Sequence, residues 1–150
     1  MLSLFKKKEF FSKEEKEKIV VAIRNAELST SGEVRVFVER RCRFIDPLDR
    51  ASEIFDKLEM EKTLHRNAVL LYIAIKDKQL AIYGDSGIHS KTGQQYWNEE
   101  VDKMILEFNK DNYAEGIRCV VKDIGQALQH HFPYIKNEDK NELPDEIIFG

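Results

Sequence analysis

Asn67 and Asp85 are the two side chains whose places in the sequence best suit them to binding chemistry. Asn67 directly precedes an apolar run, residues 68–75, and Asp85 lies in a glycine-bounded loop after a second run, residues 79–83. Only residues 76–78 separate the two runs, and so short a break predicts a hairpin of antiparallel strands. The first strand then begins where the second one ends. We therefore expect Asn67 and Asp85 to be neighbours at one edge of a sheet.

Oxygen ligands of this kind suit a hard divalent cation, because calcium and magnesium bind carboxylate, amide and backbone oxygens together with water. An acidic C-terminal tail supplies further carboxylates if it folds back towards the hairpin. Two other interpretations stay open: Asp85 caps the following helix, and the tail is a solvated run of charge. The cation hypothesis predicts a calcium or magnesium site with these ligands: Asp85, Asn67, Asp145, Glu146 and Glu142.

Familiar catalytic patterns are missing from the sequence. Cys42 precedes an arginine but lacks the loop of backbone amides that cradles a phosphate. Ser86 does not lie in a G-x-S-x-G turn, and the sequence has neither a Gly-rich nucleotide loop nor the Cys or His spacing of a zinc site. The sequence therefore offers no recognisable nucleophile.

Composition limits the class of protein further. The 150 residues carry 24 Lys and Arg against 27 Asp and Glu, a formal net charge of −3, which argues against a general nucleic-acid binder. The longest apolar run, residues 68–75, has strand length, so we expect no membrane span. Cys42 and Cys119 lie far apart in the sequence and are typical of reduced thiols. We expect a cytoplasmic protein with one domain, residues 1–150, whose core covers about residues 10–135 and whose acidic tail covers 137–150.

Local signals predict the elements that must hold these side chains. Ser12 and Glu15 form a capping box that begins a helix, and Asp46 before Pro47 begins another. Residues 33–39 alternate like a half-buried strand. The final third shows two helical stripes and then Ile147-Ile148-Phe149, which is apolar enough to pack or to pair as a short edge strand.

The predicted order is α-β-α-β-β-α-α, with a possible late strand. A helix between the first two strands permits a parallel, right-handed connection, whereas the following hairpin is antiparallel. The fold class is therefore α/β: a three-layer α/β/α sandwich with a mixed central sheet of three to four strands flanked by about four helices.

Three blocks in this order resemble the TPM domain family: Gly32-Glu33-Val34-Arg35-Val36, Arg66-Asn67-Ala68-Val69-Leu70-Leu71 and Ala81-Ile82-Tyr83-Gly84-Asp85-Ser86-Gly87-Ile88. The resemblance covers roughly residues 10–135, and residues 141–147 resemble the tail of a short, stand-alone cytoplasmic bacterial branch. It implies an α/β/α sandwich with a divalent-cation site near the ends of the central strands. It also implies the acid phosphatase activity that is assigned to plant members.

Two residues carry the family's pattern into this chain. Asn67 matches the asparagine of the family's Asn-Gly-Val-Leu-Leu block, although Ala68 replaces its glycine. Asp85 falls within the family's Gly-x-Gly block, which is one residue longer here.

Three functions follow as hypotheses. The first is a regulatory or interaction domain that binds a divalent cation at the loops near the strand ends. The second is a metal-assisted acid phosphatase, in which the cation acts on a phosphomonoester and Arg66 pairs with the phosphate. The third is a non-catalytic scaffold that binds an unidentified protein partner through the Lys-rich N-terminus or residues 147–149.

Overall fold

A computed structural model of the protein describes residues 10–134 and 146–150. Its elements, in chain order, are α1 (Lys13–Glu27), β1 (Glu33–Glu39), α2 (Pro47–Lys57), β2 (Ala68–Ala74), β3 (Gln79–Gly84), α3 (Ser86–Thr92), α4 (Gln94–Asn109), α5 (Tyr113–His131) and β4 (Ile147–Phe149).

The first two helices begin where their capping residues predict. The Ser12 hydroxyl accepts the Glu15 N–H at 3.1 Å, and the Glu15 carboxylate accepts the Ser12 N–H at 2.9 Å, which completes the capping box. Asp46 accepts the Leu48 N–H at 2.9 Å, with Pro47 in the first helical position. Both helix starts are thus confirmed.

The sheet has four strands in the order β3-β2-β1-β4. β1 and β2 pair in parallel from Glu33 opposite Ala68 to Glu39 opposite Ala74. β2 and β3 pair antiparallel, and β4 pairs in parallel with β1, with Val36 opposite Ile147. The predicted hairpin, the parallel connection through a helix and the late edge strand are all present.

Helices cover both faces of this sheet. α2 places Ile54 and Phe55 against the face that carries Leu70 and Tyr72. Three helices, α1, α4 and α5, cover the opposite face. The predicted three-layer α/β/α sandwich is confirmed, with five helices among the described residues because a seven-residue helix, α3, follows β3 directly. α3 is too short to show a helical repeat in the sequence.

The described residues contain no helix that combines the length and the apolar character needed to cross a bilayer.

One acid in α4 is buried beside a second carboxylate. Glu100 is 3% exposed, and its Oε2 lies 3.0 Å from the Lys103 Nζ, which is also 3.0 Å from Asp123 Oδ2. Burial, together with the nearby Asp123 carboxylate, raises the pKa of Glu100 from 4.5 to about 7, although Lys103 opposes that shift.

We predict that Glu100→Gln removes a pH dependence of stability. Between pH 4.5 and about 7 the folded chain keeps a proton on Glu100 that the unfolded chain has released, so folding becomes less favourable as the pH rises through this window. The variant should match the parent near pH 4.5 and exceed it by about 1–3 kcal/mol at about pH 8. Urea unfolding at several pH values measures this, with the exposed neighbour Glu99→Gln as control. Parallel pH profiles for the parent and Glu100→Gln would contradict the assignment.

Candidate cation site at the hairpin edge

The hairpin places Asn67 and Asp85 at the same edge of the sheet. The Asp85 N–H donates to the Ala68 carbonyl at 2.9 Å, and the Gly87 N–H donates to the Arg66 carbonyl at 2.8 Å, so the two loops run side by side. Both side chains are buried, Asn67 with 1% and Asp85 with 2% exposure. Buried polar groups need partners, and these partners determine what the site can bind.

Asp85 is held by an arginine and by the helix that follows it. Arg66 donates from Nε to Oδ2 at 2.6 Å and from Nη2 to Oδ1 at 2.8 Å. Oδ1 also accepts the Ser86 N–H at 2.7 Å, which makes Asp85 the N-cap of α3. The carboxylate therefore caps a helix, as one interpretation of the sequence expected, and also binds a cationic side chain.

Arg66 differs from Asp85 in exposure. Its side chain is 51% exposed, whereas that of Asp85 is 3% exposed. The backbone of Arg66 is in the left-handed region at φ 52°, a conformation that few residues other than glycine adopt. The hydrogen bonds and charge of Asp85 raise the pKa of Arg66, and the Glu61 carboxylate raises it further. The guanidinium of a half-exposed side chain, Arg66, thus neutralises the buried carboxylate of Asp85.

Asn67 forms its hydrogen bonds with residues other than Arg66 and Asp85. Its Nδ2 donates to the Ser31 hydroxyl at 3.1 Å, and its N–H donates to the Thr63 hydroxyl at 3.3 Å. The buried Oδ1 has no hydrogen-bond partner among the described residues. An unsatisfied buried acceptor costs about 1–3 kcal/mol, so this oxygen has a strong preference for a donor or a cation.

The described end of the acidic tail, residues 146–150, lies on the other side of the sheet. Glu142 and Asp145 lie outside the described residues. Glu146 is exposed and immediately precedes β4, whose pairing places it beside Arg35 of β1. β1 and β2 separate β4 from β3, a distance of about 14 Å at ordinary strand spacing. The structure therefore places Asn67 and Asp85 in adjacent loops at one edge of the sheet and leaves Glu146 on the far side of β1.

A divalent cation fits this edge only with a largely neutral ligand set. Within residues 10–134 and 146–150, no group of three or more His, Cys, Asp or Glu side chains converges on one point. Asp85 supplies a carboxylate at the strand ends, and the buried Glu33 carboxylate lies at the same edge, opposite Ala68. The Asn67 Oδ1, backbone carbonyls and water would supply neutral oxygens of the kind that calcium accepts. The Arg66 guanidinium donates to both oxygens of the Asp85 carboxylate, so a metal ion at Asp85 competes with it.

Two contacts in this site were not predicted from the sequence, which placed Arg66 against a phosphate and did not assign Ser31. Arg66 pairs with Asp85, and its position directly before Asn67 in the same loop was the available signal. Ser31 lies 36 residues from Asn67 in the sequence, and no local pattern connects the two.

Gly87 allows the two loops to approach each other, and Gly87→Ala should separate them. A Cβ at this position would lie 2.1 Å from the His65 carbonyl oxygen and 2.6 Å from that of Arg66, and backbone atoms cannot rotate away. We expect a loss of about 1–3 kcal/mol in the free energy of unfolding, measured in urea, and changed NMR shifts at Arg66 and Asp85. The exposed position Lys91→Ala in the same helix is the control. Parent-like stability and shifts would show that this contact is not close.

Comparisons with known proteins agree with this architecture. The family model described as the TPM domain matches residues 4–127. The NMR structure of the BA42 protein from the psychrophilic bacterium Bizionia argentinensis is 39% identical, covers 97% of this chain and 99% of its own, and superposes with a TM-score of 0.87. A comparison with curated proteins found no match.

Two more distant structures share the fold alone. The N-terminal domain of the cg2496 protein from Corynebacterium glutamicum is 13% identical, covers 79% of this chain and 74% of its own, and has a TM-score of 0.63. The N-terminal domain of a protein from P. gingivalis is 18% identical, covers 83% and 82%, and has the same TM-score of 0.63. Since the family model spans most of the chain and a relative at 39% identity aligns over nearly all of it, the chain belongs to the TPM domain family.

Proposed function

We propose that this chain is a regulatory domain that binds a divalent cation, calcium or magnesium, in competition with the guanidinium of Arg66. The observation that carries the proposal is the pairing of unequal partners: a carboxylate that is 3% exposed and an arginine side chain that is 51% exposed. The buried Asp85 carboxylate needs a positive charge beside it. The Arg66 side chain is already about half exposed, so its release into water costs little free energy.

The neighbouring oxygens support a metal ion in that place. Oδ1 of Asn67 is buried at the same strand end and accepts no hydrogen bond from a described residue. Calcium binds amide oxygens alongside carboxylates, and magnesium often keeps several waters and needs few protein ligands. Both ions are therefore compatible with one carboxylate and a set of neutral oxygens.

Replacement of the Arg66 guanidinium by a metal ion would change the surface of the protein, and such a change can regulate binding to a partner. When the metal ion takes Asp85, Arg66 is released at the surface, and the loop between α2 and β2 loses an anchor to α3. A protein partner that binds this loop would then distinguish the metal-bound state from the state in which Arg66 pairs with Asp85. We place this role in the cytoplasm, where reduced cysteines such as Cys42 and Cys119 are ordinary.

The proposal predicts cation binding that depends on Asp85. Titration of the full chain with calcium and with magnesium, followed by NMR, should give saturable shifts at residues 66–67 and 84–87. Asp85→Asn should abolish them, whereas Asp56→Asn, an exposed aspartate on α2, should leave them unchanged. Arg66→Gln should tighten binding about two- to fivefold, because it removes the competing charge.

Two results would overturn this function. One is an absence of saturable shifts at these residues in the folded parent chain. The other is an affinity that Arg66→Gln leaves unchanged or weakens, since competition requires the opposite sign. A thermal unfolding curve for each variant separates loss of binding from loss of the fold.

A metal-assisted phosphatase is the second candidate. The half-exposed guanidinium of Arg66 favours it, because its planar fork suits two phosphate oxygens once Asp85 has another counter-ion. The name of the matching family model also carries the word phosphatase.

This candidate predicts hydrolysis that follows cation binding. Turnover of p-nitrophenyl phosphate by the purified chain should need added calcium or magnesium and should be lost in Asp85→Asn but retained in Asp56→Asn. Activity that Asp85→Asn leaves unchanged would exclude this site as its source. Cation binding without turnover leaves the regulatory function alone.

A further inference from the structure

A pocket lined by arginines lies at the opposite end of the sheet from Asp85. It has a volume of about 560 Å³, within the range of sites that bind small molecules. Four of its lining residues are Arg40, Arg41, Arg43 and Arg50. β1 has seven residues, which corresponds to about 20 Å of strand, so this pocket is separate from the proposed cation site.

The pocket occupies the position where open α/β sheets bind ligands. It is lined by Glu39 at the carboxyl end of β1 and by Gly150 directly after β4. The connection that leaves β1 passes through α2 on one face, while α4 and α5, which precede β4, cover the other face. The pocket therefore lies outside the carboxyl ends of the parallel strands β1 and β4, the end of the strands at which open α/β sheets bind ligands.

One arginine in the pocket is fixed in place. Arg50 donates from Nε and Nη2 to the Glu39 carboxylate at 2.9 and 3.0 Å, and from Nη1 to Glu53. Its guanidinium carbon lies 5.8 Å from the centroid of the Phe44 ring, and Tyr72 donates to the same Glu39 carboxylate. Two of the five N–H donors of Arg50 remain for another acceptor.

Of the other arginines, Arg41 forms an ion pair, whereas Arg40 and Arg43 form none in the described part of the chain, although the charge of Arg43 acts on Glu39. Arg41 lies 3.4 Å from Asp77. Arg40 and Arg43 are exposed. Lys76 lies beside them, since its N–H donates to the Arg40 carbonyl at 2.8 Å.

We propose that this pocket is an effector site for a small multivalent oxyanion, such as a phosphate or a polycarboxylate. Guanidinium groups bind both classes through paired N–H donors, and a multivalent anion meets more than one arginine at once. The lining residues supply guanidinium donors, and we assign the site a binding role.

The test is an NMR titration of the full chain with inorganic phosphate, citrate and acetate at constant ionic strength. Phosphate or citrate should give saturable shifts at residues 39–44 and at the Arg50 side chain, and acetate should bind more weakly than both. Comparison of phosphate with citrate identifies the preferred class. Arg43→Gln should weaken binding at least about tenfold, since it removes a charge-assisted contact. Lys122→Gln, the same change of charge at an exposed position on α5, should leave it unchanged.

Three outcomes would overturn the site: shifts that grow without saturation, saturable shifts outside residues 39–50, and equal affinities of Arg43→Gln and Lys122→Gln. Acetate affinity equal to that of phosphate and citrate would overturn the requirement for a multivalent anion. Because Arg43 is exposed, its variant should keep the parent's spectrum elsewhere, and that spectrum verifies the fold in each sample.

Discussion

The parallel pairing of β1 with β2 is the constraint on which the rest of the structure depends. The two strands match residue for residue over their whole length, and every residue of β2 is buried. A strand buried on both sides needs a layer of helices on each face, because its side chains alternate between the two. Those helices in turn bring distant segments to the two ends of the pair, where both proposed sites lie.

The two ends of this pair differ in charge and in how firmly the charge is held. At the amino end of β2, a buried carboxylate, Asp85, is neutralised by an exposed guanidinium. At the carboxyl end of β1, the Glu39 carboxylate accepts hydrogen bonds from Arg50 and Tyr72, and further arginines line the same pocket. Burial raises the pKa of Glu39, but the hydrogen bonds from Arg50 and Tyr72 outweigh it and lower that pKa overall. The arginine side chain at the first end is 51% exposed, whereas Arg50 at the second end is 20% exposed.

Much of the fold follows from local signals that act within a few residues. Ser12 and Asp46 mark the helix starts, and the short break between two apolar runs determines the hairpin. The placement of Asn67 beside the Asp85 loop follows from that hairpin alone. α3 was missed because seven residues show no repeat, and the ion pair of Arg66 with Asp85 was missed because pairing of side chains across loops leaves no spacing in a sequence.

The sequence by itself determined the α/β class, the order of most elements and the sheet edge that carries Asn67 and Asp85, because strand alternation, capping and hairpin geometry are local. Only the tertiary structure decided which charges meet. It turned Asp85 towards Arg66, left the Asn67 oxygen without a partner among the described residues and placed Glu146 across β1. It also gathered arginines from the end of β1 and from α2 into one pocket. The physical reason is that ion pairs depend on distances in space, which the packing of whole elements sets.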